Sequence, residues 1–385
     1  MRIAVNTRLL LPSRLDGIGW FSFESLRRIV TDHPEHQFFF LFDRKPAQEF
    51  IFADNVFPVV LFPQARHPLL WWLFFEWSVP YALRKYKIDL FVSTDGWMSL
   101  RTDVPTLTVM HDLNFEHADD YLRRSHQRYM KHFFPLFAAK ATRIATVSQF
   151  SKTDISNVYG VSEDKIDVVY NGSNANYRPC SSEEIEQTKD RYSDGFPFFL
   201  FVGTLSRRKN LANILRAYEK FKQSHPNSDM RMVVAGSKYS IDSDLAETMQ
   251  QMVYKDCVKF LGHVDSHTLA MLTGSSTALV YTSLFEGFGI PIIEAYNAET
   301  AVITSTVTSM PEVAGDAALL VDPLSVDDIA DAMTRIADDD SLRSDLIQRG
   351  RIQRTLFSWD RTAALLWQSI MATYNDSINQ KSISK

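Results

Sequence analysis

A chain of 385 residues exceeds one ordinary core, and an apolar content of 45% is ample for two domains of roughly 180 residues each. The formal charge of −5 and the pI near 6.1 leave no global basic footprint, which argues against nucleic acid as the main partner. Two cysteines, Cys180 and Cys257, make neither a disulfide framework nor a metal-ligand spacing, so a reducing cytoplasm fits best.

Met1-Arg2-Ile3-Ala4-Val5-Asn6 reads as a first buried strand, with no basic-then-apolar leader to cleave. Beyond it, short β-rich apolar runs alternate with longer segments of helical period, the pattern of parallel sheets wound by helices. The first half predicts strands at 2–6, 37–42, 57–61, 88–92, 105–110, 143–147 and 166–170, and helices over 19–31, 69–86, 121–140 and 149–158. No repeat or low-complexity segment interrupts the order.

Arg14-Leu15-Asp16-Gly17-Ile18-Gly19-Trp20-Phe21 leads from the first strand into a helix. A glycine pair at such a turn, Gly17 and Gly19, lets phosphate oxygens approach the backbone and the helix dipole; a plain loop is the alternative. Ser22 holds the third position of the dinucleotide fingerprint, which counts against a nicotinamide enzyme. The apolar run 68–77 meets Glu76 and then Pro80, too soon to span a bilayer. Trp71, Trp72, Phe75 and Trp77 are spaced for a helix buried against the sheet, with a membrane-facing patch as the competing reading. Residues 123–143 carry Arg123, Arg124, Arg128, Lys131, Lys140 and Arg143 without an acid. They form either a solvated face or one that attracts anionic headgroups at about 1 kcal/mol per charge.

Val109-Met110-His111-Asp112-Leu113 ends a strongly apolar strand, and ligands of open α/β sheets bind outside the carboxyl ends of strands. His111 therefore stands where chemistry takes place, unless its ring only makes a structural hydrogen bond; Asp112 is a candidate to orient it. Ser148, in Ala145-Thr146-Val147-Ser148-Gln149, is expected as an N-cap or an acceptor-side wall. After Lys165 to Gly172 the composition turns polar, and 173–194 reads as a linker.

The strand Phe198-Phe199-Leu200-Phe201-Val202 runs into Gly203 and then Arg207, Arg208 and Lys209, just before a helix. Cations oppose the dipole at a helix start, so something anionic should offset them, and the arrangement outlines a phosphate clamp. Further strands are expected at 230–235, 257–261, 277–281 and 301–304. His263 and His267, around Val264 and Asp265, lack a metal-ligand cluster, so no metal is expected there. Ser283 to Ala295 then holds two carboxylates eight residues apart, Glu286 and Glu294. Pro291 opens a helix over about 291–298, with Glu294 in its first turn and the amides of Phe288, Gly289 and Ile290 as unpaired donors at its start. Amide donors grip oxygens while carboxylates accept from hydroxyls, so the site suits an anion or a polyhydroxyl ligand; a sugar nucleotide offers both. Glu312 reads as a structural helix-start carboxylate, and helices near 325–337, 339–354 and 359–378 close the chain.

The Glu-x7-Glu spacing, with Phe285-Glu286-Gly287-Phe288-Gly289-Ile290-Pro291 around it, resembles the retaining glycosyltransferases of GT-B architecture called group 1 or family four. The resemblance covers nearly the whole chain. It implies an α/β fold of two Rossmann-like, doubly wound domains facing a central cleft. Residues 1–173, joined by a final helix at about 360–385, would form the acceptor-side domain. Residues 174–195 would link it to a nucleotide-sugar domain at 196–359. In this reading His111 contacts the donor sugar, Arg208 and Lys209 bind its diphosphate, Glu286 takes the sugar hydroxyls and Glu294 the ribose. Gly17, Gly19, Gly203, Phe288, Gly289 and Ile290 also line the donor, and Val264 lies beside the nucleobase. Many members carry an arginine directly after the strand glycine, where this chain has Thr204, so the division of labour among Arg207, Arg208 and Lys209 is open.

The implied reaction moves a hexose from a nucleoside diphosphate sugar to a hydroxyl of a glycan or lipid-linked glycan, with retention and without metal or cofactor, in surface-polysaccharide synthesis. Nucleic acid is not an expected partner; peripheral contact with a membrane surface is. The alternatives are another GT-B sugar-nucleotide enzyme, epimerase-like or phosphorylase-like, and a binding subunit without turnover.

Overall fold

Phenylalanine, valine, leucine and isoleucine dominate the short runs, and in the computed structural model these runs are strands, those inside each sheet buried on both faces, as parallel sheets between helical layers require, and those at the sheet edges partly exposed. The structure describes residues 1–12, 15, 17–117, 124–237 and 243–383. Arg14, Asp16 and Arg123, singled out in the sequence, lie outside them.

The first sheet contains β1 (Arg2–Asn6), β2 (Gln37–Phe42), β3 (Val56–Val60), β4 (Leu90–Ser93), β5 (Thr106–Val109), β6 (Arg143–Thr146) and β7 (Ile166–Val168), in the order β3-β2-β1-β4-β5-β6-β7. All pairings are parallel; Ile3 faces Phe38 on one side and Leu90 on the other. The second sheet contains β8 (Phe198–Val202), β9 (Arg231–Ala235), β10 (Val258–Gly262), β11 (Ala278–Tyr281), β12 (Ala301–Ser305) and β13 (Leu319–Val321), in the order β10-β9-β8-β11-β12-β13, again all parallel. Chain order reverses between β1 and β4 and between β8 and β11. Those are the topological switch points, where crossovers diverge to opposite faces and leave a crevice at the carboxyl edge.

The chain divides into two compact units, Met1–Gly172 with Trp359–Lys385 and Ser173–Ser358. The final helix, Trp359–Ile383, belongs to the first unit. Arg28 pairs with Asp360 at 2.5 Å, Trp367 stacks on His33 at 3.8 Å, and Arg143 reaches Asp376 at 2.9 Å.

Two expectations need correction. The helix predicted over 69–86 is broken into Pro68–Leu73, a wide π turn over Phe74–Ser78, and Val79–Lys85. Pro80 has no N–H to return to the Glu76 carbonyl, and the Val79 N–H bonds back to Phe74 instead. The polar stretch read as a linker carries the helix Ser182–Tyr192, which packs on the helix Ser266–Ser275 within the second unit. Its start is a reciprocal cap between Ser181 and Glu184, a Ser-x-x-Glu signal that a search for apolar periodicity passes over. No helix among the described residues is long and apolar enough to cross a membrane.

Candidate functional site

In the second unit the carboxyl ends of β8, β9 and β10 converge on glycines. The Gly203 N–H donates to Ala235 O at 3.0 Å, and Gly236 N–H to Gly262 O at 2.8 Å. A Cβ on Gly236 would fall 1.7 Å from the Gly203 carbonyl oxygen, so only glycine allows this approach. Gly203, at φ +147°, lies against the stem of Lys209, and the three cations follow in a tight turn, Arg207–Lys209, ahead of the helix Leu211–Ser224. Asn210 separates turn from helix: its backbone is left-handed, and its side-chain amide donates to Thr282 O at 2.9 Å and Pro323 O at 2.7 Å.

Across the switch point, β11 leads into the loop that carries Glu286. The Glu286 carboxylate meets Arg208 Nη1 at 2.6 Å through one oxygen and Lys209 Nζ at 2.6 Å through the other. Arg208 also donates to Phe285 O at 2.7 Å, and Lys209 to the Tyr281 hydroxyl at 2.8 Å. The anion that offsets Arg208 and Lys209 is thus the chain's own Glu286, only 8% exposed. Burial pushes its carboxyl up, but the charges and hydrogen bonds of Lys209 and Arg208 outweigh this and hold it at about 2. Burial, reinforced by Glu286, pushes the Tyr281 phenol far above its ordinary value, so it stays neutral between the two charges. Arg207 is exposed. The loop is fixed from behind: Ser305 donates to Ser283 O at 2.7 Å, Ser309 hydrogen-bonds the carbonyls of Glu286 at 2.9 Å and Phe288 at 2.8 Å, and Thr308 accepts from Glu286 N at 3.3 Å.

The helix Ile290–Asn297 begins at Gly289, φ +109°, one residue earlier than predicted, so Glu294 stands past the first turn rather than within it. Phe288 packs edge-to-face on Phe357 at 5.5 Å. Burial raises the Glu294 carboxyl to about 7, with a hydrogen bond from Tyr177 pulling the other way. Val264 follows the end of β10, and Asp265 caps the helix Ser266–Ser275 by accepting from Thr268 N at 2.9 Å. Among the described residues no group of three His, Cys, Asp or Glu could hold a metal ion.

In the first unit, Gly17 and Gly19 lie inside the first turn of the helix Gly17–Asp32 rather than in a loop before it. Ser22 of that helix donates to Thr94 Oγ1 at 2.8 Å. His111 stands just beyond β5; its Nε2 hydrogen-bonds Thr94 O at 2.9 Å, and Phe21 meets the ring edge-on at 4.9 Å. Asp112 accepts from Asn114 N at 3.0 Å. Ser148 caps its helix through Ser151 N at 3.0 Å. Around the β1–β4 switch point the sequence reading missed a buried network. Asp95 accepts from Asn6 at 2.8 Å and from Arg8 at 2.7 Å, while the Arg8 guanidinium lies over the Trp97 ring at 5.1 Å. A string of polar residues at the ends of apolar strands was the available signal.

Tyr281, Tyr177, Ser305 and Ser309 were missed as well, because nothing local marks them. Glu286, Arg208 and Lys209 are one cluster, and Gly203 and Glu294 belong to the same unit.

Residues 17–177 match the model of glycosyltransferase family 4, and residues 182–353 that of the group 1 glycosyl transferases. O-antigen chain mannosyltransferase B of Escherichia coli is 30% identical over 283 residues, 73% of each chain. O-antigen chain mannosyltransferase RfbU of Salmonella typhimurium is 31% identical over 261 residues, 66% of this chain and 67% of that one. Among solved structures, Anabaena Alr3699/HepE in complex with UDP-glucose aligns with a TM-score of 0.75 at 15% identity, covering 97% of this chain and 100% of that one. WaaG, a glycosyltransferase involved in lipopolysaccharide biosynthesis, aligns at 0.73 and 14%, covering 96% and 99%. Fold and comparisons together define a glycosyltransferase of GT-B architecture. The chain belongs to the group 1 glycosyltransferases.

Proposed function

We propose that this glycosyltransferase moves a mannose-like hexose from a nucleoside diphosphate sugar to a hydroxyl of a glycan or lipid-linked glycan in surface-polysaccharide synthesis, with retention of anomeric configuration and without a metal, working at a membrane surface. The observation that carries the donor part is the Arg208–Glu286–Lys209 cluster at the carboxyl edge of the second sheet. Breaking an anomeric bond loads negative charge onto the departing diphosphate and positive character onto the ring. Preorganised cations lower that barrier because they are in position before the charge develops. Two cations already held beside one carboxylate suit both halves: Arg208 and Lys209 face phosphate oxygens, while Glu286 accepts from sugar hydroxyls.

Glu294 serves the ribose in this reading. His111, Gly17 and Gly19 enter it as donor-side groups from the family resemblance, as do Val264 and the amides at 288–290. Mannose is favoured by the two O-antigen mannosyltransferases among the relatives. A thermal-shift panel of GDP, UDP and their sugars tests the donor, since a ligand of the native state raises its melting point. Product anomeric configuration by NMR tests retention. The proposal is refuted if no nucleoside diphosphate sugar shifts the melt, or if Lys209→Met and Arg208→Ala bind the nucleoside diphosphate as the parent does.

A further inference from the structure

A guanidinium carries several N–H donors in a fixed fork, and a buried donor that finds no acceptor forfeits its hydration. Arg8 is only 8% exposed, and its Nε alone is used, meeting Asp95 Oδ2 at 2.7 Å. Among the described residues no acceptor meets its two terminal nitrogens. Asp95 anchors the group and is itself fully engaged: its Oδ1 accepts from Asn6 Nδ2 at 2.8 Å, Ser93 Oγ at 3.1 Å and Trp97 N at 3.2 Å. The guanidinium carbon lies 5.1 Å from the Trp97 ring centre and 5.7 Å from that of Phe75.

Two further donors beside Arg8 share its condition. Tyr129 stacks on Trp97 at 5.2 Å, and neither the Tyr129 hydroxyl nor the Trp97 indole N–H has a hydrogen-bond partner among the described residues. Both residues are more than nine-tenths buried. Trp71 extends the aromatic wall, 4.5 Å from Trp97 and 5.5 Å from Tyr129, while its own N–H donates to Ala65 O at 2.9 Å. Burial, with Glu76 adding to it and Arg8 opposing, keeps the Tyr129 phenol well above its ordinary value, so it is a neutral donor.

These groups stand at the β1–β4 switch point, on the carboxyl edge of the first sheet, because Arg8 follows β1 while Asp95 and Trp97 follow β4. The second unit has its own switch point, where Arg208, Lys209 and Glu286 suit the donor, which leaves this one for the other substrate. Charge then selects the ligand. Asp95 balances Arg8, and the other charged group that acts on Tyr129 is the buried carboxylate Glu76, so the cluster has no surplus positive charge for an anion. Aromatic faces beside directional donors fit a neutral sugar, whose C–H face lies on a ring while its hydroxyl oxygens accept.

We propose that Arg8, anchored by Asp95 and flanked by Trp97 and Tyr129, is a specificity-determining residue that receives a neutral terminal sugar of the acceptor glycan. The inference deepens the glycan-acceptor reading and rests on it; its test reads glycoside binding, and nucleotide binding reads the donor assignment, so the two can fail separately.

The full chain is titrated by saturation-transfer NMR with the methyl α-glycosides of mannose, glucose, N-acetylglucosamine and glucuronic acid, and by calorimetry with GDP and UDP. Wild type binds a neutral glycoside more tightly than the glucuronide. Tyr129→Phe deletes a hydroxyl without a partner among the described residues, so it melts no lower than wild type, yet it weakens the glycoside by about fivefold. Arg8→Lys keeps a cation for Asp95 but loses the fork, and weakens the glycoside by about tenfold. Both variants bind GDP and UDP as wild type does. The proposal is overturned if no neutral glycoside binds, if either variant binds it as wild type does, if the glucuronide is the tightest ligand, or if Arg8→Lys weakens GDP and UDP to the same extent.

Discussion

Replacing Glu286 by glutamine keeps the shape of the side chain and removes the charge that holds Arg208 and Lys209 together. The wild-type carboxyl lies at about 2 against an ordinary 4.5, and each unit of depression is worth about 1.4 kcal/mol, so its ionisation stabilises the second unit by about 3 kcal/mol at neutral pH. Because the folded value is depressed, that contribution is complete above the ordinary carboxyl range and disappears as the pH falls through about 2. Removing one partner of a buried ion cluster leaves the others uncompensated, a cost of about 3–5 kcal/mol and therefore of the same size. For a unit of this size the expected loss is about 6–12 °C in melting temperature at pH 7, read by scanning calorimetry. Function should separate from stability. Transfer falls by orders of magnitude because the sugar hydroxyls lose their acceptor, yet the free nucleoside diphosphate binds at least as tightly, since the two cations no longer share their charge with a carboxylate. Calorimetric titration with GDP and UDP checks this. An unchanged melting point, or a diphosphate affinity that collapses along with turnover, would show that the cluster does not act as a pre-formed clamp.

Three further outcomes follow from the same geometry. Tyr281→Phe deletes the hydroxyl that accepts from Lys209 Nζ, a hydrogen bond to a charged group, and should weaken nucleoside diphosphate binding by about tenfold; in a Lys209→Met background the same change should do nothing further, and a full effect there would refute the link. Glu294, raised to about 7 by burial with Tyr177 opposing, is protonated in the folded state and ionised in the unfolded state between about pH 4.5 and 7. Wild type therefore loses stability as pH rises through that window; Glu294→Gln should flatten both this slope and any rise of nucleotide affinity near pH 7, as melts and titrations over pH 5–8 would show. Gly236→Ala sets a Cβ 1.7 Å from the Gly203 carbonyl and must displace the loop that carries Lys209; a loss of about 1–3 kcal/mol and weaker diphosphate binding are expected, and a melt identical to wild type would contradict the contact.

The alternation of apolar runs with helical segments, readable without coordinates, already specified parallel wound sheets, because the side-chain period is a local property of each element. The same holds for the turn at Gly203, the cations after it and the loop from Ser283 to Pro291, where glycine and proline dictate backbone shape over a few residues. Pairings between distant elements were not legible. Lys209 and Glu286 stand 77 residues apart in sequence, and they meet only because β8 and β11 are neighbours in the sheet. Strand order likewise decided that the Glu286 carboxylate lies against Arg208 and Lys209, and that the Tyr281 hydroxyl accepts from Lys209. The aromatic run 68–77 divides in the same way: its period marks a helix, but Pro80 and the π turn decide which rings enter the core and which face solvent. Local chemistry determined the elements and the residue types at their ends. Tertiary packing alone determined the partners, because ion pairing and burial depend on distances across the sheet that no short stretch of sequence encodes.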